Sequence, residues 1–215
     1  MKLKLTKESA IDLGLVWYNK QAWELDDLFA QVGLNIKGDL DLSEAELDSL
    51  PSGLKVGRDL WLLGCTSLES LPSGLKVGRN LILNGCTSLR SLPSGLEVGK
   101  DLELFGCYSL RSLPSGLKVG GDLNLMNCDS LKSLPEGLEV GGFLDLSYCK
   151  ALQSLPSGLK IHGSLDLRDC VSLKSLPPDL KVGGILILDG CKSLKSLPED
   201  LKVDGEIILP FQMKP

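Results

Sequence analysis

Two things are scarce in this sequence, histidine and long apolar runs. The chain of 215 residues contains one histidine, His162, and no apolar stretch close to the ~20 residues that a membrane helix needs. Basic residues are not in excess either, because 23 Lys and Arg stand against 28 Asp and Glu for a net charge of −5. We therefore expect neither membrane insertion nor general binding of nucleic acid, which usually requires a basic surplus.

The usual sequence signatures of catalysis and cofactor binding are also missing. The chain has no HExxH, Walker loop, GxGxxG or GxSxG motif, and no CxxC pair that would favour zinc. A Cys–His pair would have to use His162, which occupies a column made mostly of glycine and is expected to be a turn residue. The sequence therefore predicts no enzymatic activity, no cofactor and no metal site.

A repeat of 21 residues dominates what is present. Prolines recur at this step from Pro51 to Pro198, and all seven cysteines keep it as well: Cys65, Cys86, Cys107, Cys128, Cys149, Cys170 and Cys191. A fixed period of this length is typical of stacked supersecondary units, each in contact with its neighbours only. Because the cysteines occupy equivalent places and their number is odd, we expect a structural ladder of buried free thiols.

Buried thiols favour a reducing compartment, so a cytoplasmic location is expected. The first residues agree with this, since Glu8 and Asp12 interrupt what would be the apolar region of a signal peptide.

Two segments of each coil have the alternation of a β-strand. In Leu-x-Leu the two leucines face one side and the residue between them faces the other, and Leu96-Glu97-Val98 repeats this pattern. Stacking the coils predicts parallel sheets with little helix between them. Residues 39–209 are expected to form a solenoid of eight coils plus a final strand, with an atypical first coil that has Ala45 in place of cysteine and one residue fewer.

The remaining residues are expected to cover the ends of the solenoid. Residues 1–38 are predicted to form a small α-helical N-terminal cap, whose second helical pattern contains Trp23 and ends at Gly33; a docking helix for a partner is the alternative. Residues 210–215 are a short tail. Either Phe211 and Met213 fold over the last coil, or two copies meet there as an end-to-end homodimer, or the natural chain is longer.

Two glycine columns mark the corners of the coils. The first runs from Gly53 to Gly158 with Asp179 and Asp200 at its end, and the second runs from Gly57 to Gly183 with His162 and Asp204 as replacements. Asp and His tolerate a positive φ better than most side chains. Both columns are therefore predicted to be left-handed positions.

The unit Leu-x-Leu-x-x-Cys-x-x-Leu-x-x-Leu-Pro, as in Leu102–Pro114, resembles the leucine-rich repeat. The resemblance covers residues 39–209 and implies a leucine-rich-repeat solenoid, a superhelix of parallel β-strands with extended convex segments. It also implies that Leu-x-Leu lines the concave face and that cysteine bonds the loop backbone in a ladder. The unit is similar to repeats of bacterial secreted effectors and of plant immune receptors, which would allow delivery into a host cell, but Leu117–Gly121 departs from both.

Variable positions of a repeat array can form its binding site, because the fixed positions form the core. Two positions of each coil are expected to be exposed and variable: the residue between the two leucines of Leu-x-Leu and the residue after the second leucine. They bring together a mixed apolar and charged set, the candidate partner-binding residues: Trp61, Leu63, Ile82, Glu103, Phe105, Met126, Asp145, Asp166 and Arg168. Trp, Phe and Met are typical of interface cores.

These positions predict a module that binds a protein or peptide on the concave face. A structural spacer or self-assembling solenoid, the targeting portion of a longer effector enzyme, and scattered surface apolar residues without a partner remain alternatives.

Overall fold

A computed structural model of the chain describes residues 34–213 and the two short segments Lys2–Leu3 and Trp23–Glu24. These two segments pair as antiparallel strands, so Trp23 lies in a strand where the sequence pattern predicted a helix. Asn35–Ile36, also within the range of the predicted cap, is a strand of the solenoid. Leu34, Lys37 and Gly38 are bends, and the remaining residues of the predicted helical cap lie outside the described residues.

The Leu-x-Leu segments form one parallel sheet of nine strands, here called the Leu-x-Leu sheet. Its strands are Leu40–Asp41, Leu60–Trp61, Leu81–Ile82, Leu102–Glu103, Leu123–Asn124, Leu144–Asp145, Leu165–Asp166, Leu186–Ile187 and Ile207–Ile208. They lie side by side in chain order, and equivalent residues are opposite one another, as Leu81 is to Leu102. A step of one coil along the chain is thus a step of one strand across the sheet.

A second parallel sheet of nine strands follows the same order and is here called the Lys-Val sheet. Its strands are Asn35–Ile36, Lys55–Val56, Lys76–Val77, Glu97–Val98, Lys118–Val119, Glu139–Val140, Lys160–Ile161, Lys181–Val182 and Lys202–Val203. The predictions of two strands per coil and of parallel sheets are therefore confirmed. Among the described residues the only helical element is a 3₁₀ turn, Phe211–Met213, and no helix there is long and apolar enough to cross a membrane.

The core lies between the two sheets and is made of columns. Leu81 and Leu83 of one Leu-x-Leu segment are fully buried, as are their equivalents in most other coils. Val77 from the Lys-Val sheet and Leu89 from the intervening loop close the interior from the other sides. Burying a leucine stabilises a fold by roughly 1.5–3 kcal/mol, so the repeated leucine columns are the main source of stability.

The seven cysteines form the buried ladder of free thiols that their spacing predicted. Each Sγ donates a hydrogen bond to a leucine carbonyl in the preceding coil; for example, Cys86 Sγ lies 3.1 Å from the carbonyl oxygen of Leu62. Burial raises the pKa of Cys65 to about 11 and that of Cys107 to about 12. The thiols are therefore protonated at neutral pH and act as structural donors.

The first glycine column is left-handed as predicted from Gly53 to Gly158, with φ of 73° at Gly74, but the prediction is wrong for Asp179 and Asp200, which do not have a positive φ. The prediction is wrong for the second column, from Gly57 to Gly183, which does not have a positive φ. Its glycines are required by space, because a Cβ on Gly78 would lie 2.1 Å from the carbonyl oxygen of Gly57. In this coil the corner between the two sheets spans only residues 78–80, and it brings the backbone at Gly78 too close to that of Gly57 for a side chain.

A third column, the residue before each cysteine, is left-handed and was not predicted. Glycine fills it in four coils, and in the others a non-glycine residue adopts the same positive φ: Glu44, Asn127, Tyr148 and Asp169. A bulky residue such as Tyr148 at φ 61° is uncommon, because its Cβ crowds the backbone.

A second ladder of side chains connects the coils at the corner before each Leu-x-Leu segment. Asp59 Oδ1 accepts the backbone N–H of Asn80 at 3.0 Å, and Asn80 Oδ1 accepts that of Asp101 at 3.1 Å. The ladder runs from Asp39 to Asp122 and stops at Phe143, whose side chain cannot accept a hydrogen bond. Each rung satisfies a backbone donor of the following coil.

The last coil is covered only in part. Met213 packs against the core and its backbone N–H bonds the carbonyl oxygen of Pro210 at 2.9 Å, whereas Phe211 is 83% exposed. Leu197, Leu201 and Ile207 in this coil are partly exposed, although their equivalents in the middle of the solenoid are buried. Of the two residues expected to fold over this end, only Met213 does so.

Candidate functional site

The exposed face of the Leu-x-Leu sheet is a grid of two columns. The first column holds the outward residue of each strand, with Trp61 opposite Ile82 and Glu103 opposite Asn124. The second column lies two residues further along, on the same face, because side chains alternate along a strand. Leu63, for example, is 45% exposed, whereas Leu62 is fully buried.

The early coils bring five apolar side chains onto this face, here called the apolar patch: Trp61, Leu63, Ile82, Phe105 and Met126. Phe105 is 40% exposed, and Trp61, Ile82 and Met126 are half-buried. Asn84 separates Leu63 from Phe105 in the second column, and its Oδ1 accepts the backbone N–H of Phe105 at 2.8 Å. The patch therefore lies on a backbone that is fixed by hydrogen bonds across the coils.

A polar region continues the grid beyond the apolar patch. Asn124 donates from Nδ2 to Glu103 Oε2 at 2.9 Å. Asp145 Oδ1 accepts both the backbone N–H of Ser147, at 2.8 Å, and its hydroxyl, at 2.6 Å. These groups hold one another in place before any ligand arrives.

Asp166 and Arg168 form the most tightly held pair of the face. Asp166 is fully buried and accepts the Nε–H of Arg168 at 2.8 Å and its backbone N–H at 2.9 Å. The bond to this carboxylate raises the pKa of Arg168 above its ordinary value. The sequence placed Asp166 among the exposed charges, but the structure buries it under the guanidinium, so only Arg168 is presented to solvent.

Sequence reasoning missed the aromatic residues at the edge of this grid. Tyr148 is 38% exposed and stands in the left-handed position that is glycine in four other coils. Tyr108 is 48% exposed, and its ring lies over Gly106 in the same column. The signal for Tyr148 was available, because the residue before cysteine departs from glycine in that coil.

Neither His162 nor any of the cysteine thiols belongs to the two columns of the grid. His162 lies in the bend after the strand Lys160–Ile161, with Nδ1 3.2 Å from the carbonyl oxygen of Val140, and the thiols are buried with raised pKa values. Within residues 34–213 there is no group of three side chains that could hold a metal ion. The arrangement of this face suits non-covalent contact through apolar surface and preset hydrogen-bonding groups.

Parallel Leu-x-Leu strands, inward leucine columns and a cysteine ladder at a 21-residue step define the described chain as a leucine-rich-repeat solenoid. Among solved structures, it is similar to the leucine-rich repeat domain of the type III effector XCV3220 (XopL), with 21% identity over 96% of this chain and 88% of that one and a TM-score of 0.38. No family model and no curated protein matches the chain.

Proposed function

We propose that this protein is a non-catalytic recognition module that binds a protein or peptide through the Leu-x-Leu sheet, the face that the repeat resemblance assigns to the concave side. One observation carries the proposal. The strand register brings Trp61, Leu63, Ile82, Phe105 and Met126 onto one exposed face, although they come from four different coils. Contiguous exposed apolar groups often mark an interaction surface.

The composition of the patch supports this function. Trp, Phe and Met are enriched at the centres of interfaces, and a few such residues usually supply most of the binding free energy. Glu103, Asn124 and Asp145 form a polar margin beside the patch, with their hydrogen bonds already in place. A margin that is ordered in advance loses little conformational entropy on binding.

The dimensions of the patch suit a short extended segment. Adjacent strands lie about 4.8 Å apart, so the three steps from Trp61 to Met126 span about 14 Å. At about 3.3 Å per residue, some four or five residues of an extended peptide would cross the patch. Two alternate side chains of that peptide would then contact the apolar groups.

A displayed library of random peptides, selected on the wild-type chain, tests the proposal. The double variant Trp61→Ala/Phe105→Ala should weaken the selected peptides by about 2 kcal/mol or more, the usual loss at an interface hot spot. Ile185→Ala is the matched control, because Ile185 is 39% exposed but belongs to neither column of the grid. Equal affinity of the double variant and the wild type would remove this face from consideration.

The alternative of a self-assembling solenoid has its own supporting observation at the last coil. The strand Ile207–Ile208 ends the Leu-x-Leu sheet among the described residues, and Phe211 beside it is 83% exposed. An end-to-end homodimer would cover these groups. Light scattering over a range of concentrations tests this alternative, and a constant monomer mass at high concentration contradicts it.

We also propose a reducing, cytoplasmic environment, which the buried thiol ladder supports, and delivery into a host cell remains a hypothesis from the effector-like repeat. A role as the targeting portion of a longer enzyme is tested by reading the gene beyond Pro215.

A further inference from the structure

The outward column of the Lys-Val sheet alternates in charge over its middle strands. Lys76 Nζ lies 2.6 Å from Glu97 Oε1 on the next strand. Glu139 pairs with the lysines on both sides of it, at 3.0 Å from Lys118 and 3.3 Å from Lys160. Opposite charges on neighbouring strands attract, so this part of the column stabilises the stacking of the coils.

The alternation stops after Lys160. The next two strands carry Lys181 and Lys202, in register with Lys160 and with each other. Neither Lys181 nor Lys202 has a carboxylate at ion-pair distance within residues 34–213, and both are exposed. Like charges on directly opposed strands repel, and an anion placed among the three ammonium groups would relieve that repulsion.

A groove of about 530 Å³ lies beside these lysines. Polar and apolar groups both line it: Lys160, Lys181, Lys202, His162, Val182 and Asp204. His162 replaces the glycine of other coils, and its Nδ1 is held by the carbonyl oxygen of Val140 at 3.2 Å. Asp204 is the one carboxylate among the lining residues, so the cations outnumber it.

We propose that this groove, defined by Lys160, Lys181 and Lys202, binds a phosphate monoester group. Such a group has three acceptor oxygens and nearly two negative charges at neutral pH. Lysine binds phosphate as a mobile point charge, and side chains on strands about 4.8 Å apart can converge on one group. The groove lies on the Lys-Val sheet and not on the Leu-x-Leu face, so this proposal and the proposed function are tested separately.

The phosphate could belong to a phosphorylated side chain of a protein or to a small phosphorylated molecule. The full chain is therefore titrated with free phosphoserine, with a short phosphoserine peptide of otherwise small uncharged residues, and with the same peptide unphosphorylated. Binding is followed by the backbone amide shifts of residues 160–162, 181–183 and 202–204. The two phosphorylated probes should shift these amides and the unphosphorylated peptide should not.

Charge variants make the test specific to the groove. Lys181→Ser/Lys202→Ser should weaken phosphoserine binding about tenfold or more, the loss that one charge-assisted hydrogen bond represents. Asp204→Asn should strengthen binding, because it removes the opposing charge. Lys132→Ser is the matched control, an exposed lysine in another column, and it should leave the Kd unchanged. Raising the salt concentration from about 50 to 300 mM should weaken binding, since exposed charges are screened.

The outcomes separate cleanly. Tighter binding of the phosphopeptide than of free phosphoserine indicates a protein source, and equal binding indicates a small phosphorylated ligand. The proposal is overturned if the phosphorylated probes leave the groove amides unshifted, if the double variant binds as well as the wild type, or if Lys132→Ser causes the same loss. The lysines are exposed and repel one another, so the variants should not lower the urea midpoint below that of the wild type.

Discussion

Two glycines four residues apart, Gly74 and Gly78, allow the packing of the coils to be tested with a single methyl group. Alanine at Gly78 would place its Cβ 2.1 Å from the carbonyl oxygen of Gly57 and 2.8 Å from its carbonyl carbon. Both of those atoms are backbone, so no side chain can rotate away. The two coils must separate locally, and the hydrogen bonds from Gly78 N–H to Val56 and from Arg79 N–H to Arg58, at 2.8 and 3.0 Å, must lengthen.

The expected cost follows from these contacts. Overpacking costs about 1–3 kcal/mol, and weakening two backbone hydrogen bonds adds about 0.5–1.5 kcal/mol each. Gly78→Ala should therefore reduce the free energy of unfolding by roughly 2–6 kcal/mol. Gly74→Ala is the matched control, because its Cβ meets nothing within 4 Å and only its φ of 73° is unfavourable. That strain costs about 1–2 kcal/mol.

Urea unfolding followed by far-ultraviolet circular dichroism measures both variants. The m-value must be compared with that of the wild type, because a solenoid can lose cooperativity when one interface between coils is weakened. If Gly74→Ala is as costly as Gly78→Ala, close approach of the coils is not what requires glycine at position 78.

Four further outcomes are expected from the described contacts. Cys128→Ser should lower the free energy of unfolding by about 1–3 kcal/mol, because a hydroxyl is harder to desolvate than a thiol. Thiol reagents should modify the native protein only as fast as the protein opens, and rapid labelling would contradict the buried ladder. Because the thiols are buried, the free energy of unfolding should fall as the pH rises above about 9. In that range the thiols of the unfolded chain ionise, whereas folded thiols such as that of Cys65, with a pKa of about 11, keep their protons. Urea midpoints measured over a range of pH test this. Arg168→Ala should lower the free energy of unfolding by about 1–3 kcal/mol, because one oxygen of the buried Asp166 loses its hydrogen bond to the guanidinium. A shift of the urea midpoint no larger than that caused by Lys132→Ser would contradict this prediction. Tyr148→Gly should raise the free energy of unfolding by up to about 1 kcal/mol, because glycine adopts the positive φ of this position without strain. A loss of stability would show instead that the Tyr148 ring contributes to packing.

Much of the fold follows from the sequence because each of the eight coils has the same residue pattern and therefore predicts the same local structure. The leucine and cysteine columns have the period of the coil, and their burial needs no knowledge of how the loops run. The parallel register follows in the same way, since equivalent residues of stacked coils must face one another. These features depend on local alternation and on the repeat step alone.

The errors come from positions where one residue type satisfies different demands. Glycine at position 74 allows a positive φ, whereas glycine at position 78 allows close approach, and the letter is the same in both columns. His162 and Asp204, which replace glycine in the second column, were taken as evidence for a left-handed turn. Neither residue has a positive φ in the structure.

The position of the candidate residues on one face was predictable from the sequence, but the electrostatics of that face were not. The sequence placed Trp61 and Phe105 on one face by counting residues in the Leu-x-Leu segment. It could not show that Asp166 is buried under Arg168, because that depends on how one side chain folds over another two residues away. It also gave no reason to group Lys160, Lys181 and Lys202 until the register of the second sheet was known.

The second ladder of side chains, at the corner before each Leu-x-Leu segment, is interrupted at Phe143. The coils before and after this point should therefore differ in their resistance to local unfolding. Amide protons of residues 59, 80, 101 and 122 are each held by a side-chain oxygen of the preceding coil. Between Phe143 and residue 213, where the described part ends, only Ser164 provides such a rung, to Ile185. Amide hydrogen exchange should therefore begin in the last coils and advance towards the middle one coil at a time. The amides of the coils that carry the lysine groove should exchange before those of the coils that carry the apolar patch.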